Sequence, residues 1–218
     1  MKIIIAASSG ISLVNFSGNL IREIVRRGHE VYCISCENDD ATRTSVEGLG
    51  AHYIYIPMSR TGTNILEDLK TIIAFWKLIS DIKPDMYFAY MSKPVTYGGS
   101  VARICKVPHI NLLINGLEIA FYRKDFKSKI IRFVLKTCYR FACGAAENVF
   151  FQNPDDLNVF EMASVVLKEQ CTIVNGSGVD MKYFDKRPLP VEPCVLMTAR
   201  LIWSKGIREY LRAAEIVK

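Results

Sequence analysis

Short, nearly unbroken apolar runs alternate along the chain with stretches whose apolar residues recur every three or four positions. This is the pattern of a parallel sheet whose two faces are both covered by helices. Residues 3–7, 29–35, 51–56, 86–91, 107–114, 148–151 and 171–174 predict seven strands, and residues 13–27, 64–81, 94–105, 124–143 and 153–167 carry the helical period between them. The punctuation agrees: Gly28 stops the first helix, and Lys83 precedes Pro84, where the backbone must leave the helical region. The expected fold class is α/β, a Rossmann-like parallel sheet with helices on both faces.

Past the seventh strand the alternation breaks at Pro188-Leu-Pro-Val-Glu-Pro193, a semi-rigid linker because proline fixes φ. Residues 195–211 then read as strand, loop and helix again. The expected organisation is a lobe over 1–186, a linker over 187–193, and the first βα unit of a second Rossmann-like lobe over 194–218, truncated there.

Composition narrows the class. At 50% hydrophobic and 23% charged, 218 residues bury a full core, which excludes disorder. The apolar run at 3–7 is too short for a secretory h-region, and no stretch approaches the roughly 20 apolar residues of a membrane span. Seven cysteines, an odd number set mostly in apolar runs, read as buried thiols in a reducing cytoplasm. Cys33-x-x-Cys36 has no second pair at ligand spacing, so no metal site is expected.

The net charge is +6, and residues 121–144 hold seven cations against Asp125, which accounts for the whole excess. The helix there is expected to lay Ile130, Ile131, Phe133, Val134, Cys138 and Phe141 against the sheet. Arg123, Lys124, Lys127, Lys129, Arg132 and Lys136 would then face an anionic membrane surface, at about 1 kcal/mol per cation. No nucleic-acid motif accompanies the patch, and nucleic acid is not an expected partner.

Four constellations carry candidate chemistry. In Ser8-Ser9-Gly10-Ile11-Ser12 a glycine and hydroxyls precede a helix, where backbone N–H groups reach a phosphate or a sugar. The turn lacks G-x-G-x-x-G; Glu37, beyond the second strand, stands where a ribose-binding acid would, so a nucleotide-binding oxidoreductase is a secondary alternative. Asn153-Pro154-Asp155-Asp156 reads as a helix cap, which accounts for both acids. Gly176-Ser177-Gly178 is a permissive hinge leaving the last strand. Arg200 and Lys205, at a strand-to-helix turn, suit a phosphate.

Residues 173–180 (Ile-Val-Asn-Gly-Ser-Gly-Val-Asp) with Phe184, then Ala199-Arg200-Leu201 and Lys205-Gly206, resemble the domain junction of family 4 glycosyltransferases of the two-lobed GT-B fold. Gly28-His-Glu-Val31 and Phe151-Gln-Asn-Pro-Asp-Asp156 are similar to motifs of the same group, closest to bacterial enzymes that extend polyprenyl-diphosphate-linked sugars. The resemblance implies retaining transfer of a hexose or N-acetylhexosamine from a nucleotide diphosphate sugar to a lipid-linked saccharide acceptor, with no cofactor and no obligatory metal. It implies that Arg200 and Lys205 hold the donor diphosphate, that the Gly10 turn faces it, and that the acceptor lies near Ser9, Asn115 and Gly116. It further implies a peripheral protein on the inner face of the cell membrane, with little turnover alone and a possible complementing C-terminal subunit. The alternative from another class is a non-catalytic lobe that binds membrane or a partner.

Overall fold

A computed structural model describes residues 1–60, 64–116, 126–181, 184–199 and 201–217. By internal packing the chain divides into two units, Met1–Val179 and Asp180–Lys218.

In the first unit seven parallel strands, β1 (Lys2–Ala6), β2 (Glu30–Ser35), β3 (His52–Tyr55), β4 (Met86–Tyr90), β5 (His109–Ile114), β6 (Asn148–Phe151) and β7 (Cys171–Ile173), form one sheet in the order β3-β2-β1-β4-β5-β6-β7. Successive side chains of β1 divide between the two faces, as the two-residue period of a strand requires. Ile3 and Ile5 pack with Leu13, Ile21, Val31, Cys33, Val46 and Tyr53 on one side. Ile4 and Ala6 join Ile34, Phe75, Tyr87, Leu112, Phe151 and Phe160 on the other. The first layer is covered by α1 (Gly10–Asn15), α2 (Gly18–Arg26) and α3 (Asp40–Glu47); the second by α4 (Ile65–Ile82), a π-helical turn (Pro94–Gly98), α5 (Gly99–Ile104), α6 (Phe126–Cys143) and α7 (Pro154–Met162). Right-handed crossovers put the connections before and after β4 on opposite sides of the sheet from those of β1.

The boundaries of α4 follow from its ends. Asn64 Oδ1 accepts the Leu66 N–H at 3.1 Å, and Lys83 closes the helix at φ 51 before Pro84. Within the first unit the sequence pattern differs from the structure at four places. The single helix expected over 13–27 is two, parted at Ser17-Gly18, a pair that readily kinks a helix. The segment between the second and third strands, to which the pattern assigned no element, contains α3, whose Asp39 cap accepts the Thr42 N–H at 2.8 Å and which buries only Val46, too little to show a period. The helix expected to reach 167 stops at Met162, because Ser164 adopts φ 53 and turns the chain so that Val165 and Val166 are buried.

The fourth difference concerns α6. Four of the six apolar residues expected against the sheet are exposed instead: Phe133 at 72%, with Ile130, Val134 and Phe141. Ile131 and Cys138 are half-buried and Leu135 packs against the core, but among the described side chains full burial is confined to Tyr139, Ala142 and Cys143 at the C-terminal end. A bulky aromatic contact there, Tyr139 edge-on to Phe160 at 5.1 Å, holds that end to α7.

In the second unit α8 (Ile207–Val217) supplies the expected helix. The expected strand beginning at Val195 is absent. Val195 and Leu196 are 81% and 79% exposed, and no other strand among the described residues of this unit offers a ladder. The Val195 carbonyl instead accepts the Tyr210 hydroxyl at 2.8 Å.

Two outcomes test this packing. A Cβ on Gly98 would overlap the Tyr87 hydroxyl, which is buried and donates to the Pro94 carbonyl at 2.8 Å; Gly98→Ala is therefore expected to lower unfolding free energy by about 1–3 kcal/mol in urea titration. Burial pushes the Cys33 and Cys143 thiols up to about 12, whereas Cys194 is exposed. Alkylation of the native protein near pH 8, followed by peptide mass spectrometry, should label Cys194 and spare Cys33 and Cys143 until denaturant is added; early labelling of Cys33 would contradict its place in β2.

Candidate functional site

Ligands of open parallel sheets collect at the carboxyl ends of the two strands whose connections leave toward opposite faces. Here those strands are β1 and β4, paired in register from Ile3 with Met86 to Ala6 with Ala89. The Ser8 hydroxyl, after β1, donates to Met91 Sδ at 3.0 Å and ties the two ends together. The Ser12 hydroxyl donates to the Ser9 carbonyl at 2.8 Å and lies 3.0 Å from the Tyr90 hydroxyl, whose phenol burial holds above its ordinary range. Met91 has φ 66, a conformation that costs a non-glycine residue about 1–2 kcal/mol, and the π-helical turn follows at once. Both features concentrate at functional sites.

Ser9 is 1% exposed and Gly10 is buried beside it, so the predicted turn is packed rather than open. Glu37 explains why. Its carboxylate accepts the Gly10 N–H at 2.7 Å and the Ser35 hydroxyl at 2.8 Å, so the acid is turned onto the glycine turn rather than outward. Ser35 in turn lies 2.6 Å from the Tyr53 hydroxyl, which also donates to the Glu37 carbonyl. A Cβ on Gly10 would overlap the Thr42 methyl group, so only glycine fits. Asn115 and Gly116, at the end of β5, are exposed, and Gly116 has φ 150.

A second feature escaped the sequence reading. Lys93 Nζ lies 2.6 Å from Asp68 Oδ1, with the side chains 11% and 15% exposed, joining the first turn of α4 to the entry of the π-helical turn. Removing either partner of such a pair costs about 3–5 kcal/mol, because the other is left charged and dry. Twenty-five positions separate the two residues, and only the strand order brings them together.

The remaining predicted residues are placed as follows. Asn153 Oδ1 accepts the Asp156 N–H at 2.8 Å and its amide donates back to the Asp156 carboxylate at 2.7 Å, so the pair caps α7. Gly176 and Gly178 have φ 74 and 72, with nothing within 4 Å of an added Cβ, and exposed Ser177 lies between them. In the second unit Lys205 is exposed and ends a short helical turn, Trp203–Lys205, immediately before α8; Gly206 follows at φ 76. Arg208 stacks over the Trp203 ring at 4.2 Å. Arg200, Arg123 and Lys124 lie outside the described residues, as does the Lys127 side chain. On α6, Lys129 is exposed and Arg132 and Lys136 are half-buried.

Residues 5–153 match the family model described as glycosyl transferase 4-like. The whole chain aligns, at 27% identity over 233 positions, with N,N'-diacetylbacillosaminyl-diphospho-undecaprenol alpha-1,3-N-acetylgalactosaminyltransferase of Campylobacter jejuni, of which it covers 61%. Among solved structures, a glycosyltransferase from Rickettsia africae superposes with TM-score 0.57 at 14% identity, over 84% of this chain and 45% of that one. Staphylococcus aureus MnaA with UDP gives 0.57 at 16% identity over 85% and 47%, and Acinetobacter baumannii MurG gives 0.51 at 12% over 84% and 47%. These likenesses share the α/β fold. The chain spans under two thirds of the curated relative and under half of each of these structures. With a family match that runs from β1 through the β6 end of the sheet, the chain belongs to the glycosyl transferase 4-like family.

Proposed function

We propose that the chain contributes the acceptor side, and the entry to the donor side, of a retaining glycosyltransferase that moves a hexose or N-acetylhexosamine from a nucleotide diphosphate sugar to a polyprenyl-diphosphate-linked saccharide. The product class is surface polysaccharide or glycan. The observation that carries this reading is the likeness, over the full chain, to a transferase named for an undecaprenyl-diphosphate-linked acceptor.

The residues fit the roles. Exposed Asn115 and Gly116, with the Ser9-Gly10 turn, form the acceptor edge of the sheet. Cleaving the donor's glycosidic bond leaves negative charge on the diphosphate, and fixed cations stabilise that charge as it develops. Arg200 and Lys205 take this role, and Lys205 sits where the positive end of an 11-residue helix adds to it. Two such cations supply the stabilisation without a metal ion. Gly176, Ser177 and Gly178 act as the hinge between acceptor and donor sides. A complete donor lobe comes either from the same polypeptide or from a complementing subunit. No helix among the described residues is long and apolar enough to cross a membrane; the lipid-linked acceptor of the reading places the protein peripherally, at the anionic inner face of the cell membrane.

The test is transfer of radiolabelled sugar from a uridine diphosphate sugar to an undecaprenyl-diphosphate-linked saccharide, by this chain alone and by the chain joined to a complete donor lobe. Turnover is expected near background alone and well above it when joined. Arg200→Ala or Lys205→Ala in the joined protein should lower kcat by about 10²–10³-fold and leave the acceptor KM nearly unchanged. Unchanged kcat removes the pair from the diphosphate site, and no transfer in either form leaves a non-catalytic lobe.

A further inference from the structure

On α4, Leu69, Ile73 and Trp76 recur at helical spacing on one flank and are 52%, 43% and 53% exposed, while Thr71, Phe75 and Ile79 hold the helix to the core. Toward the C-terminal end of α4 that flank changes shape. α5 packs beside it there, and Trp76, Ser80 and Lys83 line a groove of about 610 Å³ together with Ile104, Val107 and Pro108, from the end of α5 and the turn into β5. Ile104 is itself 61% exposed. The flank is an apolar ridge in its first half and a largely apolar groove in its second. α4 and α5 both end at the amino edge of the sheet, so the groove lies away from Ser9, Asn115 and Gly116.

A ridge and a groove in line on one helix complement each other once the helix is reversed. A two-fold axis through the contact does this, because each patch then meets its own counterpart's other half. The charges fix the register. Asp68 is paired with Lys93, and Glu67 is turned back onto the cap, where it accepts the Asn64 amide at 3.2 Å. The remaining α4 charges, Lys70, Lys77 and Asp81, are exposed and share one border of the ridge, with no ion pair among the described residues. In an antiparallel pair like borders meet, and Lys70 comes opposite the partner copy's Asp81, twice per dimer. The same register drops Leu69 into the other copy's groove between Ser80 and Lys83, and seats Ile73 between Trp76 and Ser80. Charges of both signs along one border suit a surface that carries the same pattern reversed. Lys83 and Lys106, exposed at the groove's rim, cover apolar surface with their stems and keep their ammonium groups in water.

We propose that the exposed flank of α4 is the interface for a second copy of this chain, packed antiparallel about a two-fold axis with Leu69 and Ile73 seated against the partner copy's α4–α5 groove. The dimer does not depend on the transferase reading, and the contact leaves the carboxyl edge of the sheet open.

Sedimentation velocity over a concentration series tests the interface. The chain is expected to dimerise with a Kd in the micromolar range. Leu69→Glu combined with Ile73→Glu should weaken dimerisation by about tenfold or more, with the far-ultraviolet circular dichroism unchanged because both side chains are exposed. Asp81→Lys should weaken it by about tenfold, and Lys70→Asp added to Asp81→Lys should bring it back to within about threefold of the parent. A zero-length carbodiimide cross-link between Lys70 and Asp81, read by peptide mass spectrometry, is expected in the dimer alone. Within one helix those residues stand about 16 Å apart, so only two copies can supply it. A chain that stays monomeric up to about 100 μM overturns the proposal. So does a dimer that the α4 double variant leaves intact, or one that the charge exchange does not restore. Vesicle binding by a monomer that Leu69→Glu with Ile73→Glu abolishes also overturns it, since a bilayer would then be what covers the ridge.

Discussion

The pairing of β1 with β4 is the contact on which the rest of the structure depends. It places side by side two strands whose connections depart toward opposite faces of the sheet, and no helix then crosses the gap at their carboxyl ends. The Ser8–Ser12 turn, Tyr90, Met91 and the entry to the π-helical turn gather at that gap. Ser8 reaches across it to Met91, Tyr90 reaches back to Ser12, and strained Met91 starts the π-helical turn that carries Lys93. Exchange the neighbours of β1, and the same residues would lie at separate points of the edge.

Acids of the fold already answer two positive features of this edge. Gly10 N–H and Lys93 are positive features beside the gap, and each already has an acid partner within the fold, Glu37 and Asp68. A diphosphate arriving there would compete with two carboxylates, one of them fixed by Ser35 as well. Among the described residues hydroxyls, an asparagine amide and backbone groups line the edge, and exposed Arg60 stands close enough to act on the Cys36 thiol beside them. On the transferase reading, Arg200 and Lys205 are the cations proposed to meet developing phosphate charge, and the Gly10 turn, its N–H already bonded to Glu37, contributes shape rather than charge.

How much of this was legible depended on the kind of signal each residue leaves. Strands buried on both faces write continuous apolar runs, so all seven appeared in the sequence, and the ends of α4 were marked by Asn64 and Pro84. Capping by Asn153 and Asp156 is local and was equally readable. α3 left almost nothing, since Val46 alone reaches the core, and the end of α7 is set by Ser164 at positive φ, where a glycine would have announced it. The strand expected from Val195 failed for a different reason: apolar composition gives the propensity, but a strand exists only where a partner supplies hydrogen bonds. Glu37 against Gly10 and Lys93 against Asp68 join residues 27 and 25 positions apart, and no spacing rule links them before the strand order is known.

α6 shows where periodicity stops being informative. Apolar residues recurring every three or four positions state that a helix has an apolar side, and a core-facing stripe and a lipid-facing stripe satisfy that statement equally. Burial separates them, and here it does so within one helix. Tyr139, Ala142 and Cys143 lock into the sheet layer, while Ile130, Phe133 and Val134, drawn from the same pattern, stay largely exposed. The charge on the helix was also ambiguous in sequence, because an ordinary solvated face is basic or acidic with little consequence.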